Sequence, residues 1–167
     1  AGIPVFATGG IGGVHENVIR SFDISEDLSA LAETPSIVVS AGAKAILDLE
    51  KTVELLESIG VTLLGFKTNE FPAFYTQKSG IKTLTPVKSE REIVDVYIAN
   101  MRAGLLNSIL VANPILKKDE IPSGKIKSII DHALKKANHL SISGKETTPF
   151  LLKFIEEKTN GESLVAN

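Results

Sequence analysis

Cysteine is absent from the 167 residues. Disulfides, thiolate metal sites and cysteine nucleophiles are therefore excluded, and the absence fits a cytoplasmic protein. A basic excess is missing as well. Lys and Arg number 18 against 20 Asp and Glu, a net charge of −2, whereas a general nucleic-acid binder carries a strong positive surplus. A small phosphorylated ligand stays open, because one pocket needs only a few local charges. Long hydrophobic runs are also lacking. Stretches such as Ile37-Val38-Val39 and Ile109-Leu110-Val111-Ala112 fall far short of the roughly 20 residues of a spanning helix. The opening Ala1 to Ala7 has no basic region and does not read as a signal peptide. What is present is the balance of a folded domain: 43% hydrophobic and 23% charged residues, in a length that suits one domain with a core.

Apolar runs and glycine punctuation organise the chain. Val5-Phe6-Ala7-Thr8 reads as a buried strand that ends in the loop Gly9-Gly10-Ile11-Gly12-Gly13, followed by polar loop rather than helix. A short helix is expected from Ser25 to about Glu33, stopped by Pro35. Ser36 to Ser40, Val61 to Gly65 and Ser108 to Ala112 read as further buried strands. Helices are expected over 46–59 with Gly60 at its end, from the capping box at Ser89, over 124–139 and over 148–159. The stretch 69–82 reads as irregular. Apolar strands without alternation, separated by helices, predict one α/β domain over 1–167: an open, mostly parallel sheet with helices on both faces. Both ends read as cut from a longer chain. The Lys pairs at 117–118 and 135–136 read as solvated surface.

In such a sheet, ligands bind at the carboxyl ends of the strands. That selects four segments: Thr8–Gly13, Ser40–Lys44, Gly65–Glu70 and Ala112–Pro114. The glycine loop offers backbone amides to an anion, or is simply a tight turn. It matches neither the dinucleotide fingerprint nor a Walker loop. A nucleotide-cofactor domain is further disfavoured because no acidic residue closes the second strand. Lys44 follows an uncharged run, Ile37 to Ala43. A lysine desolvated there becomes an amine able to attack a carbonyl carbon and form a Schiff base. The alternative is a lysine that extends to solvent at a helix start. Asp23 and Asp27, with Ser25 between them, stand near a helix start. They suit a phosphate at free amides and a hydrated divalent cation at Asp23, or ordinary capping. His15 is the one histidine near these loops. His132 and His139 fall on an expected surface helix.

Taken in order, Phe6-Ala7-Thr8-Gly9-Gly10-Ile11-Gly12-Gly13-Val14-His15, Ser21-Phe22-Asp23-Ile24-Ser25, Ala41-Gly42-Ala43-Lys44, Glu70-Phe71-Pro72-Ala73-Phe74, Val111-Ala112-Asn113-Pro114 and Thr148-Pro149-Phe150-Leu151-Leu152 resemble the pseudouridine-5′-phosphate glycosidase family, which includes the indigoidine synthase A-like proteins. The resemblance implies the middle and late part of a protein of about 300 residues, without its N-terminal part and its C-terminal helix. It implies an enzyme that reversibly cleaves the C–C glycosidic bond of pseudouridine 5′-phosphate to uracil and ribose 5-phosphate. In that chemistry a lysine amine attacks the anomeric carbon, the ribose ring opens, and the C–C bond breaks by way of an iminium. The two-carboxylate design of ordinary glycosidases does not serve here, because a C–C bond has no leaving oxygen to protonate.

By motif, the resemblance makes Lys44 the Schiff-base nucleophile and gives Asp23 a divalent metal, manganese, held largely through waters. It puts Ser25, Asp27 and Thr8 at the ribose phosphate, and Asn167 and His15 at the base. It also implies a homotrimer for the full-length protein, with no nucleic-acid polymer or membrane as partner. Two departures stand out. The family's general-acid glutamate and a second active-site lysine have no counterpart here, so the chain alone is expected to be inactive. Glu16 stands where the family has a basic residue. The other reading is a non-catalytic sugar-phosphate-binding module.

Overall fold

The computed structural model describes residues 2–16, 18–142 and 144–166, the side chains at 20 and 145 excepted. Five strands form one sheet: β1 (Val5–Ala7), β2 (Ile37–Ser40), β3 (Thr62–Phe66), β4 (Thr85–Val87) and β5 (Ile109–Ala112), in the order β1-β2-β5-β3-β4. Every pairing is parallel. The helices are α1 (Val18–Ser21), α2 (Glu26–Glu33), α3 (Leu49–Ser58), α4 (Glu90–Arg102), α5 (Ser123–His139), α6 (Thr147–Lys158) and α7 (Glu162–Val165). No helix among the described residues is long and apolar enough to cross a membrane.

The unbroken apolar strands are explained by cover on both faces. Side chains alternate along a strand. Val38, Leu63, Leu110 and Ala112 point into one core with Leu28 of α2, Leu56 of α3, Ile130 of α5 and Leu151 of α6. Ile37, Leu64, Ile109 and Val111 enter the other, beneath Ile93, Val96 and Tyr97 of α4. Each fully buried Leu or Ile contributes about 1.5–3 kcal/mol relative to exposure. The two cores therefore hold α4 and the other helices on opposite sides of a sheet that is the only element shared by both.

Local expectations need correction at several points. The run from Val5 forms a strand, but β1 is exposed along its length, with Val5 and Phe6 each 56% exposed. Among the described residues it stands at the sheet's edge and pairs with β2 alone. The polar stretch after the glycine loop contains α1, a single turn held by Phe22 N–H donating to Val18 O at 2.8 Å. Strand β4 was not legible, because Thr85-Pro86-Val87 carries a proline. Pro86 is tolerated because β4 is the opposite edge strand, where a missing donor costs no ladder bond. The stretch 69–82 contains no helix or strand, as expected, yet Phe71, Phe74 and Tyr75 within it are buried. Burial pushes the Tyr75 phenol up to about 12, so its hydroxyl stays neutral.

Helix α3 starts three residues later than its apolar pattern suggests, because Asp48 caps it by accepting from Lys51 N–H at 3.0 Å. Burial would raise the Asp48 carboxyl. The Lys51 ammonium and backbone N–H outweigh that effect and hold it below the usual carboxylate range. A depressed carboxylate stabilises the fold above its unfolded value, about 3.9, and loses that contribution as pH falls through the lower folded value. Asp48→Ala is expected to lose about 1 kcal/mol in urea unfolding at pH 7. The difference between the two proteins should close as the pH is taken below about 4.

Candidate functional site

The β1–β2 ladder does not stop where the strands end. Thr8 N–H donates to Val39 O at 3.0 Å, Ile11 N–H to Gly42 O at 3.0 Å, and Lys44 N–H to Ile11 O at 3.0 Å. Ile11 and Ala43 form a parallel bridge. Backbone donors and acceptors must be paired wherever water is excluded, and this extension pairs them while carrying Lys44 beside the glycine loop. Gly42 makes the bend possible. Its φ is +88°, and a Cβ there would fall 2.2 Å from Pro72 O. The 71–75 loop is pressed onto this point, with Phe74 N–H donating to Ala41 O at 3.1 Å.

The N-terminus of α2 completes the site. Ser25 caps the helix, its Oγ accepting from Asp27 N–H at 3.3 Å, and Ser25 N–H donates to Gly13 O at 3.0 Å. Asp27 Oδ2 accepts from Gly12 N–H at 2.6 Å, a short charge-assisted bond. Only glycine fits at position 12, since a Cβ would stand 2.1 Å from Ser25 Oγ. From the other side Thr52 of α3, fully buried, accepts from Val14 N–H at 2.9 Å. The glycine loop is thus fixed by its neighbours.

These loops enclose two separate cavities. The first, about 400 Å³, is lined by Thr8, Gly10, Asp27 and Lys44 against apolar Ile11 and Val38. Lys44 is half-buried, and among the described residues it has no ion pair with a carboxylate. The cavity therefore joins an amine, a carboxylate, a hydroxyl and a bend of glycine backbone at the carboxyl ends of β1 and β2. Phe6 and Ile3 of the exposed edge reach the same cavity. The second, about 200 Å³, holds His15, Asp23 and Glu16 with Asn138 of α5 and Thr147 of α6. His15 N–H donates to Asp23 O at 3.1 Å, and His15 Nδ1 lies 3.9 Å from Asp23 Oδ2.

Of the residues singled out in the sequence, Thr8, Asp27 and Lys44 share the first cavity, and His15 and Asp23 share the second. Ser25 stands at the glycine loop as the cap of α2. Asn167 lies outside the described residues. His132 and His139 are exposed on α5. Among the described residues no group of three or more His, Asp or Glu converges to cage a metal. Asp23 and Glu16 bring two carboxylates and His15 an imidazole to this polar cavity, donor types that a hydrated hard divalent ion accepts. Sequence reading missed the contribution of Asn138 and Thr147. They are more than a hundred residues from Asp23 in the chain, and no local pattern signals that approach.

The family model described as indigoidine synthase A-like protein matches residues 1–167. The chain belongs to the indigoidine synthase A-like family. It is 47% identical over 167 residues to the pseudouridine-5′-phosphate glycosidase of Staphylococcus aureus and 50% identical to that of Caldanaerobacter subterraneus, covering all of this chain and 54% of each relative. The chain thus spans about half the length of these curated relatives. Among solved structures, an indigoidine synthase A-like protein of Thermotoga maritima superposes with a TM-score of 0.89 at 39% identity, over 99% of this chain and 53% of that one. The prealnumycin C-glycosynthase AlnA, solved in complex with ribulose 5-phosphate, gives 0.91 at 32% identity, over 99% and 54%. The all-parallel α/β fold is thus that of the family.

The fit at Gly42 yields a test. Gly42→Ala should destabilise the domain by about 2 kcal/mol or more, through left-handed strain and the clash with Pro72 O. Urea unfolding measures this, and an unchanged midpoint would show that the loops can separate without cost.

Proposed function

We propose that the protein to which this chain belongs is a pseudouridine-5′-phosphate glycosidase that works through a Schiff base on Lys44. The observation that carries the reading is the shared cavity of Lys44, Asp27 and Thr8 at the carboxyl ends of β1 and β2. Relatives bearing that enzyme name match the whole chain, and a related C-glycosynthase was solved with a sugar phosphate.

In the proposed reaction, Lys44 Nζ forms a bond to the anomeric carbon of the ribose. The bond from that carbon to the ring oxygen breaks, the oxygen takes a proton, and the alkylated nitrogen gives one up and regains its lone pair. The C–C bond to the base then breaks. Its electron pair goes to the base carbon, which takes a proton, while the nitrogen lone pair forms the C=N bond of an iminium. Water hydrolyses the iminium, releasing ribose 5-phosphate and the free amine. Uracil is the other product. Every electron pair is accounted for without an external oxidant or reductant. Thr8, Ser25 and Asp27 hold the sugar phosphate, the Asp27 carboxylate accepting from its sugar hydroxyls. Asp23, with His15 beside it, would hold a divalent ion, manganese, which when bound would supply positive charge against a phosphorylated ligand. The acid that delivers the protons belongs to the part of the protein that the longer relatives carry and this chain does not span.

Incubation of the full-length protein with ribose 5-phosphate and sodium borohydride should leave a sugar phosphate on Lys44, located by peptide mass spectrometry. Lys44→Ala should abolish the adduct without change in unfolding midpoint. Labelling spread evenly over exposed lysines, with Lys44 no different from Lys127, would refute the nucleophile. Saturable ribose 5-phosphate binding without any adduct would instead favour the non-catalytic module. For the metal, Asp23→Asn should weaken Mn²⁺ binding by about tenfold or more, read from water-proton relaxation. Unchanged relaxation would remove Asp23 from that role.

A further inference from the structure

A third cavity, of about 400 Å³, opens at the carboxyl ends of β3 and β5, and its walls include Lys67, Lys78 and Lys82 with Thr68, Glu70 and Gln77. It shares no lining residue with the cavities of Lys44 and Asp23. Three lysines and one glutamate give it a net charge of +2 on a chain whose total is −2. None of the three ammonium groups is paired with a carboxylate among the described residues. Lys67 Nζ instead lies 4.8 Å from the centroid of the Phe66 ring. The one acidic side chain is occupied elsewhere: Glu70 Oε1 accepts from Gly80 N–H at 2.5 Å.

The frame around these lysines is fixed. Lys67 adopts φ +57°, a left-handed conformation that a non-glycine residue holds only when its surroundings enforce it. Here Lys67 N–H donates to Val87 O at 2.8 Å. Thr68 Oγ1 closes the turn against Glu70, accepting its N–H at 3.1 Å. Gln77 is anchored at both ends, its Nε2 donating to Ile115 O at 2.8 Å and its backbone N–H to Glu120 Oε1 at 3.0 Å. Unpaired like charges in one concavity repel one another, and a concave wall focuses their field outward. All three lysine side chains are exposed. In high dielectric a single charge is held weakly, so the complementary ligand must carry several negative charges in a compact volume.

We propose that this cavity is an anion site, distinct from the Lys44 cavity, for a di- or polyphosphate group. The proposal does not rest on the glycosidase reading. Titration of the full chain with inorganic pyrophosphate at about 50 mM salt, followed by calorimetry, should show saturable binding that weakens as salt screens the charges. The triple variant Lys67→Gln, Lys78→Gln, Lys82→Gln should bind at least about tenfold more weakly, since three charged contacts are removed. A control with Lys127→Gln and Lys135→Gln on α5, and Lys44→Ala, should each retain the wild-type affinity. Circular dichroism checks that every variant is folded, which the exposure of the lysines favours. Three results would overturn the proposal: no saturable binding, equal affinity in the triple variant, or an equal loss in the α5 control, which would mean diffuse surface attraction. A loss in Lys44→Ala alone would transfer the anion to the first cavity and also overturn it.

Discussion

The organisation at the sheet's carboxyl edge depends on a backbone ladder that outlasts its strands. β1 is only three residues long, and β2 four. The hydrogen bonds from Thr8, Ile11 and Lys44 nevertheless keep the two segments in register beyond them. Without this extension the glycine loop and the 40–44 loop would diverge, and Lys44 would have no fixed relation to Asp27. The ladder can continue because Gly42 accepts a left-handed turn and lets Pro72 O approach where a Cβ would stand. A conformational property of one residue thus passes directly into the geometry of a cavity.

The loops also show how a helix start can serve two purposes. Ser25 and Asp27 satisfy the first turn of α2, as acidic and hydroxyl residues do at many helix N-termini. The same Asp27 carboxylate reaches across to Gly12 N–H and lines the cavity of Lys44. Capping and cavity formation are therefore one arrangement rather than alternatives, which is why the capping pattern by itself did not decide between them. His15 and Asp23 belong to the neighbouring cavity, closed by α5 and α6. In the proposed mechanism the charged group at Asp23 acts beside the reacting amine's cavity, not within it.

The two edges of the sheet differ in character. β4 carries Pro86 and guards its edge by lacking a donor. β1 carries Val5 and Phe6, both exposed, with Phe6 and Ile3 forming part of the wall of the Lys44 cavity. The apolar edge and the cavity are thus continuous.

The α/β class, the order of the major elements and the central strands were legible in the sequence, because uncharged runs such as Ile37–Ser40 and Ile109–Ala112 can be satisfied only by cover on both faces. Helix caps at Ser25 and Ser89 were equally local and equally legible. The ordered motifs were specific enough to assign the family. The exposure of β1 was not legible, because a strand's composition does not say whether it lies at the centre or the edge of a sheet. Pro86 hid β4 for the converse reason. Only the tertiary structure separated His15 and Asp23 from Lys44, since which loops share a cavity depends on strand order and helix packing across a hundred residues. The sequence alone thus determined which chemical groups are available at the sheet's carboxyl edge. The packing of distant segments decided which of them meet.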